Sequence, residues 1–207
     1  MPYVVSDMAG DGLAVLDALA VDRAHVMGVS MGGMIAQTMA IEHPERLLTL
    51  TSIMSTTGDP DVGRSSEAAR KRFVAPPARD RDGFVADYLA GIRAWGSPEC
   101  FDEARLTAIA GEAFDRDFDP AGKTRQAMAI VGSGSRTAAL RDVEVPTLVL
   151  HGSADALIDP SGGRRTADSV PGARFVLLEG MGHDYPPQYW DRIVELVTEH
   201  ARESAPA

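Results

Sequence analysis

The chain has 207 residues, 44% hydrophobic and 24% charged, with a formal net charge of -10 and an isoelectric point near 4.9. That composition suits a globular protein with one sizeable core. Its acidity argues against nucleic-acid or anionic-membrane partners, which a negative surface repels.

The single cysteine, Cys100, leaves no intrachain disulfide to form. It stands between Pro98-Glu99 and Phe101-Asp102 with no histidine nearby, so it reads as a small packed side chain and not a nucleophile. The opening Met1-Pro2-Tyr3-Val4-Val5-Ser6-Asp7-Met8 lacks the basic patch and apolar run of a signal peptide. No stretch approaches the ~20 apolar residues of a membrane-spanning helix. A cytoplasmic location is expected.

From Asp7 to Ala20, Leu13, Leu16 and Leu19-Ala20 recur three to four apart, the stripe of an amphipathic helix. Arg23 to Val29 is a short apolar run that predicts a buried parallel strand. Helix formers return from Met31 to Ile41 and stop at His43-Pro44. Leu47 to Met54 predicts a second buried strand. Between Asp61 and about Leu140 no strand-like run occurs. Phe84, Tyr88, Ile92 and Trp95 fall at helical spacing, as do Leu106, Ile109-Ala110 and Ala113-Phe114. Breaks at Pro76-Pro77, Gly96-Ser97-Pro98 and Asp119-Pro120 divide this helical insertion. The first pattern resumes with a strand over Pro146–His151, a helix over Pro160–Val170, a strand over Arg174–Leu178 and a helix over Pro187–Ala201. That last helix is expected to place Trp190, Ile193-Val194 and Val197 on one face, before a frayed tail, Ser204–Ala207. Alternating helices and strands predict an α/β fold, a mostly parallel sheet flanked by helices.

Gly28-Val29-Ser30-Met31-Gly32 matches Gly-x-Ser-x-Gly. The motif alone is weak, but here a strand enters and a helix leaves, as a nucleophile elbow requires. Side chains at Gly28 or Gly32 are expected to collide with the neighbouring strand and helix. The helix start directs free N–H groups at the place where an oxyanion forms. A bare turn or phosphate cradle is the competing reading, but no Gly-x-Gly-x-x-Gly or Gly-Lys-Ser/Thr accompanies it.

A serine nucleophile needs a base. His25 lies in a strand, His43 closes a helix, His151 ends a strand and His200 sits in the last helix. His183 follows a strand in the glycine-rich, flexible loop Glu179–Asp184, which can carry an imidazole over a neighbouring strand end. Two carboxylates follow the third strand. Asp155 lies nearer the strand end and is favoured as the acid, while Asp159, before Pro160, reads as a helix cap. Ser30, Asp155 and His183 all follow carboxyl ends of parallel strands, where open α/β sheets place their sites.

On these residues the chain resembles an α/β-hydrolase-fold serine esterase, in the style of aclacinomycin methylesterase-like and cofactor-free haloperoxidase-like members. Leu16–Leu19 with Arg23–Gly33 resembles the family's helix, strand and elbow. Val145–Asp155 resembles the acid-bearing strand, and Gly180–His183 the histidine loop. The resemblance implies a core over residues 1–57 and 141–207, with a helical cap over 58–140. Epoxide-cleaving relatives with an aspartate nucleophile are disfavoured by the serine at position 30.

One departure stands out. Family members carry further strands and a His-Gly-type loop before the elbow, and that loop supplies a second oxyanion donor. Here Met31 N–H supplies one donor and the sequence offers no second. The chain is therefore expected to be the carboxyl-terminal part of a longer enzyme, with an N-terminally truncated sheet whose open edge favours self-association. The activity expected is cleavage of small-to-medium apolar carboxylic esters through an acyl-enzyme, with a small-molecule ester as partner and no metal or organic cofactor. Acyl transfer or perhydrolysis by the same triad, and a non-catalytic fragment or binding protein, are the alternatives.

Overall fold

Four apolar runs of the sequence pair into one parallel sheet. The computed structural model describes residues 3–204; the last three residues of the tail expected to fray, and Met1-Pro2, lie outside the described residues. In chain order, helix α1 (Val5–Ala18) precedes strand β1 (Ala24–Val29), helix α2 (Met31–Glu42) and strand β2 (Leu47–Ile53). Helices α3 (Glu67–Phe73), α4 (Arg81–Trp95), α5 (Glu103–Arg116), α6 (Pro120–Ser133) and α7 (Thr137–Leu140) follow without a strand. Strand β3 (Thr147–Gly152), helix α8 (Ser161–Ser169), strand β4 (Arg174–Leu178) and helix α9 (Trp190–Glu203) complete the chain.

The strands lie in the order β1-β2-β3-β4, all parallel. Val26 pairs with Leu50, Leu50 with Thr147, and Leu148 with Arg174. The inner pair, β2 and β3, is buried nearly throughout, which is why both read as unbroken apolar runs. Outer strand β1 alternates along most of its length and β4 is only partly buried, and Met27 on β1 is 53% exposed.

Leu50 and Ile53 sit on opposite sheet faces and seed separate clusters. Leu50 packs with Ala9 and Leu13 of α1 and Ala36 and Met39 of α2. Ile53 packs with Leu148, Leu150, Met181, Ile193 and Leu196, joining α9 to the other face. A smaller cluster, Leu89 and Ile92 of α4 against Leu106 of α5, holds the insertion together.

Two expected faces differ in the structure. Helix α1 ends at Ala18, so Leu19-Ala20 leaves its stripe and Leu19 is 67% exposed. Ala20 takes φ 52°, while Val21 N–H donates to Leu16 O and Ala20 N–H to Asp17 O. This Schellman closure usually has glycine in Ala20's place. On α9 the buried face is Ile193, Leu196 and His200, while Trp190 and Val194 point outward. Pro187–Tyr189 forms a 3₁₀ turn before the helix. Among the described residues, no helix is long and apolar enough to cross a membrane.

Candidate active site

The junction of β1 and α2 puts Ser30 above the sheet. Its backbone, φ 54° and ψ -117°, lies where side chains rarely go. Ser30 N–H donates to Ile53 O at 2.8 Å, and Ser30 O accepts from Gly33 N at 3.0 Å. Strand β2 and helix α2 thus hold the strained residue from both sides. The turn is so tight that a Cβ on Gly28 would overlap the Gly32 carbonyl. The collision expected at Gly32 is absent: a Cβ there would meet nothing within 4 Å. Gly33 is the second crowded position, where a Cβ would lie 2.6 Å from Ser55 Cβ, because position 33 faces the end of β2.

His183 bridges the other two. Its Nε2 lies 3.0 Å from Ser30 Oγ and its Nδ1 2.7 Å from Asp155 Oδ2. The loop that carries it is fastened, not free. His183 N–H donates to Trp95 O at 2.7 Å, Gly182 N–H to Ser97 Oγ at 2.8 Å, and Ser97 Oγ to Asp184 Oδ1 at 2.6 Å. A Cβ on Gly182 would overlap the Gly96 backbone. The expectation of a flexible loop is therefore corrected. That glycine permits close packing of the loop against the end of α4.

Asp155 is 4% exposed. Its Oδ1 accepts from Leu157 N–H and Ile158 N–H, each at 2.9 Å. Burial works against its ionisation. The hydrogen bonds from His151 and His183, with His183's charge and the Ile158 N–H, outweigh that and hold the carboxyl below its ordinary value. Asp159 stands elsewhere. Its Oδ1 accepts from Ser161 N–H at 2.9 Å and its Oδ2 from Arg64 N–H at 2.7 Å, so it fastens the start of α8.

His151 has a place the sequence did not disclose. It is fully buried, with Nε2 2.8 Å from Ile158 O and 3.3 Å from Asp155 Oδ2. A carbonyl only accepts, so Nε2 carries the proton and Nδ1 is left buried and unpaired. The available signal was a polar residue in the apolar β3 run, four positions before Asp155.

Two cavities flank the three side chains. One, about 390 Å³, is lined by His183 with Trp95, Tyr88, Phe84 and Phe118. The other, about 400 Å³, is lined by Ser30 and Met31 with Met34, Ala127, Ile130 and Ile158. Phe73, Lys123 and Leu157 border both. The aromatic side chains of the insertion therefore face the cleft as well as each other. Among the described residues, no group of three or more His, Cys, Asp or Glu side chains is placed to hold a metal ion.

Residues 2–186 match the family model described as alpha/beta hydrolase fold. The chain belongs to that family. It is 32% identical to a rhodomycin D methylesterase of Streptomyces sp. (strain C5), over 97% of this chain and 74% of the relative. A rhodomycin D methylesterase of Streptomyces peucetius is 31% identical, with the same shares covered. The solved enol-lactonase from Burkholderia xenovorans LB400 superposes with a TM-score of 0.79 at 25% identity, over 97% of this chain and 74% of that one. As a member of the α/β-hydrolase family with esterase relatives, the chain is an enzyme, a hydrolase.

Proposed function

We propose that the chain cleaves carboxylic esters through an acyl-enzyme, with Ser30 as nucleophile, His183 as base and then acid, and Asp155 as the carboxylate that orients His183. The observation that carries this reading is the unbroken relay from Ser30 Oγ through the His183 ring to Asp155 Oδ2. Asp155 fixes the proton on Nδ1, which leaves the Nε2 lone pair facing the serine hydroxyl. As Ser30 Oγ attacks the ester carbonyl, Nε2 takes its proton. The resulting imidazolium is stabilised by Asp155.

Charge then develops on the former carbonyl oxygen. Met31 N–H, at the first position of α2, has no partner within the helix and is the oxyanion donor in this reading. Collapse of the tetrahedral intermediate returns the proton from Nε2 to the departing alcohol. Water activated by the same nitrogen then releases the acid. The alcohol leaves on the histidine side, so the cavity lined by His183 takes the alcohol part. The acyl group stays bonded to Ser30 and occupies the cavity lined by Ser30 and Met31. Both cavities are apolar enough for a small-to-medium substrate.

The activities of the relatives, a methylesterase and an enol-lactonase, both concern ester bonds and support this choice of bond. A small-molecule ester partner and a cytoplasmic location belong to the same reading. A panel of simple esters, amides and lactones, run on the wild type and on Ser30→Ala, tests it. Ester hydrolysis that vanishes in Ser30→Ala with the fold intact is the expected result. Full activity in that variant would remove Ser30 from the mechanism.

A further inference from the structure

Lys123 occupies an unusual place for a lysine. It lies in the first turn of α6, at the positive end of the helix dipole, where a cation gains nothing from the helix. Its ammonium stands 5.1 Å from the centroid of the Phe73 ring, and among the described residues it has neither an ion-pair nor a hydrogen-bond partner. The nearby carboxylates are engaged elsewhere: Asp87 with Arg72 at 2.6 Å, and Asp119 with Arg125. Partial desolvation, followed by the Arg72 charge, lowers its pKa against the opposing pull of Asp87. Lys123 also borders both cavities of the cleft, together with Phe73 and Leu157.

The cavity on the Ser30 side gives this position its meaning. Among the described residues lining it, Lys123 is the single charged one; the others are apolar apart from Ser30, Thr56, Ser65 and Gln126. Asp87, Asp117 and Asp119, with Arg72, line the histidine side only. A lone cation on an otherwise uncharged wall is complementary to a substrate group that brings the opposite charge. The protein's net charge of -10 repels anions at long range. Salt screens that repulsion beyond about 8 Å, whereas a contact inside the cleft is screened far less.

We propose that Lys123 selects esters whose acyl part is apolar but carries an anionic oxygen, such as a terminal carboxylate, by pairing its ammonium with that group within the cavity that Ser30 also lines. The inference rests on the assignment of the Ser30-side cavity to the acyl group. A charge-assisted hydrogen bond in such a site corresponds to a preference of about 10-fold.

The test compares 4-nitrophenyl hydrogen adipate with 4-nitrophenyl hexanoate, which differ by a carboxylate at the chain end. The kcat/KM ratio of the two is read within each protein, so a general loss of activity in a variant cancels. The wild type should favour the anionic ester by about 10-fold, mainly through KM. Lys123→Met should abolish the preference and Lys123→Arg should keep it. Calorimetry on Ser30→Ala, with methyl hydrogen adipate and methyl hexanoate as probes, gives the same comparison without turnover. If no ester is cleaved but tighter binding of the anionic probe disappears when Lys123→Met is added, the ester-cleavage reading fails while the pairing of Lys123 with an anionic oxygen stands. If Ser30 cleaves esters with no Lys123-dependent preference, the inference is overturned alone.

Discussion

The imidazole of His151 stands 3.3 Å from Asp155 Oδ2, the same oxygen that meets His183 Nδ1 at 2.7 Å. Asp155 is thus held from two sides, by one histidine that faces the cleft and one that is wholly buried. The buried ring supplies a donor without solvent access, which favours the ionised carboxylate that the mechanism needs.

His151→Leu is expected to lower kcat about 10-fold with little change in KM, through loss of a hydrogen bond to a charged group. His151→Gln, which restores an N–H donor, should recover part of the loss. The same pair has a stability signature. The folded pKa of Asp155 lies below the ordinary 3.8. Its contribution to stability is therefore present above that value and drains away as pH falls through the folded pKa. Without His151 the folded pKa moves back towards the ordinary value, so the contribution is smaller and its loss is complete at a higher pH. Urea unfolding between pH 3 and pH 6 on both proteins measures the difference; superimposable profiles would make His151 a packing residue only.

The two carboxylates after β3 should separate cleanly. Asp155→Asn is expected to cut turnover on the order of 10⁴-fold by allowing the wrong imidazole tautomer. Asp159→Ala should leave turnover near wild type and cost about 1 kcal/mol of stability, as loss of a cap does. Paired kinetic and melting measurements on the two variants check this, and the reverse pattern would give Asp159 the acid's role.

Trp95 shapes the histidine-side cavity through its ring, while its backbone carbonyl holds His183. Trp95→Ala should keep the second contact and enlarge the cavity. The kcat/KM ratio of benzyl to methyl esters of one acid is expected to rise by roughly 10-fold. Equal losses on both esters would make Trp95 structural support.

Arg136 is a buried cation, 8% exposed, whose pKa is lowered to about 10 by burial. Its Nε donates to Gln37 Oε1 at 3.1 Å and its Nη2 to Thr56 O at 3.0 Å, which ties α2, the end of β2 and the return from the insertion together. Arg136→Met removes the cost of burying the charge but strands both acceptors. We expect the stranded acceptors to dominate, with a net loss of about 2 kcal/mol in chemical denaturation. A neutral or stabilising result would mean that the charge's desolvation outweighs its hydrogen bonds.

The sequence disclosed what local pattern encodes. β2 and β3 are buried on both faces, so they appear as unbroken apolar runs. Ser30 sits in a motif whose strand-to-helix context is itself readable. Asp155 and His183 follow strand ends at short range, so each was a candidate before any packing was known. What stayed hidden depends on contacts between distant segments. His151 looks like any strand-terminal histidine until Ile158 and Asp155 fold back over it. Arg136 gains its meaning from Gln37, some hundred residues earlier, and Lys123 from two cavities that exist only once α3 and α6 pack beside the cleft. The faces of α1 and α9 differ for another reason: a Schellman closure with alanine in the usual glycine place ends α1 at Ala18, and α9 turns Ile193, Leu196 and His200 to the core, a choice of face that only packing makes.

Trapping the acyl-enzyme tests the central claim most directly. The wild type mixed rapidly with a 4-nitrophenyl ester and quenched in acid should show, by intact-protein and peptide mass spectrometry, one acyl group on Ser30, accompanied by a burst of 4-nitrophenol. Asp155→Asn should acylate slowly at the same residue, and Ser30→Ala not at all. Ester turnover with no covalent adduct, or with the acyl group on a residue other than Ser30, would contradict the account.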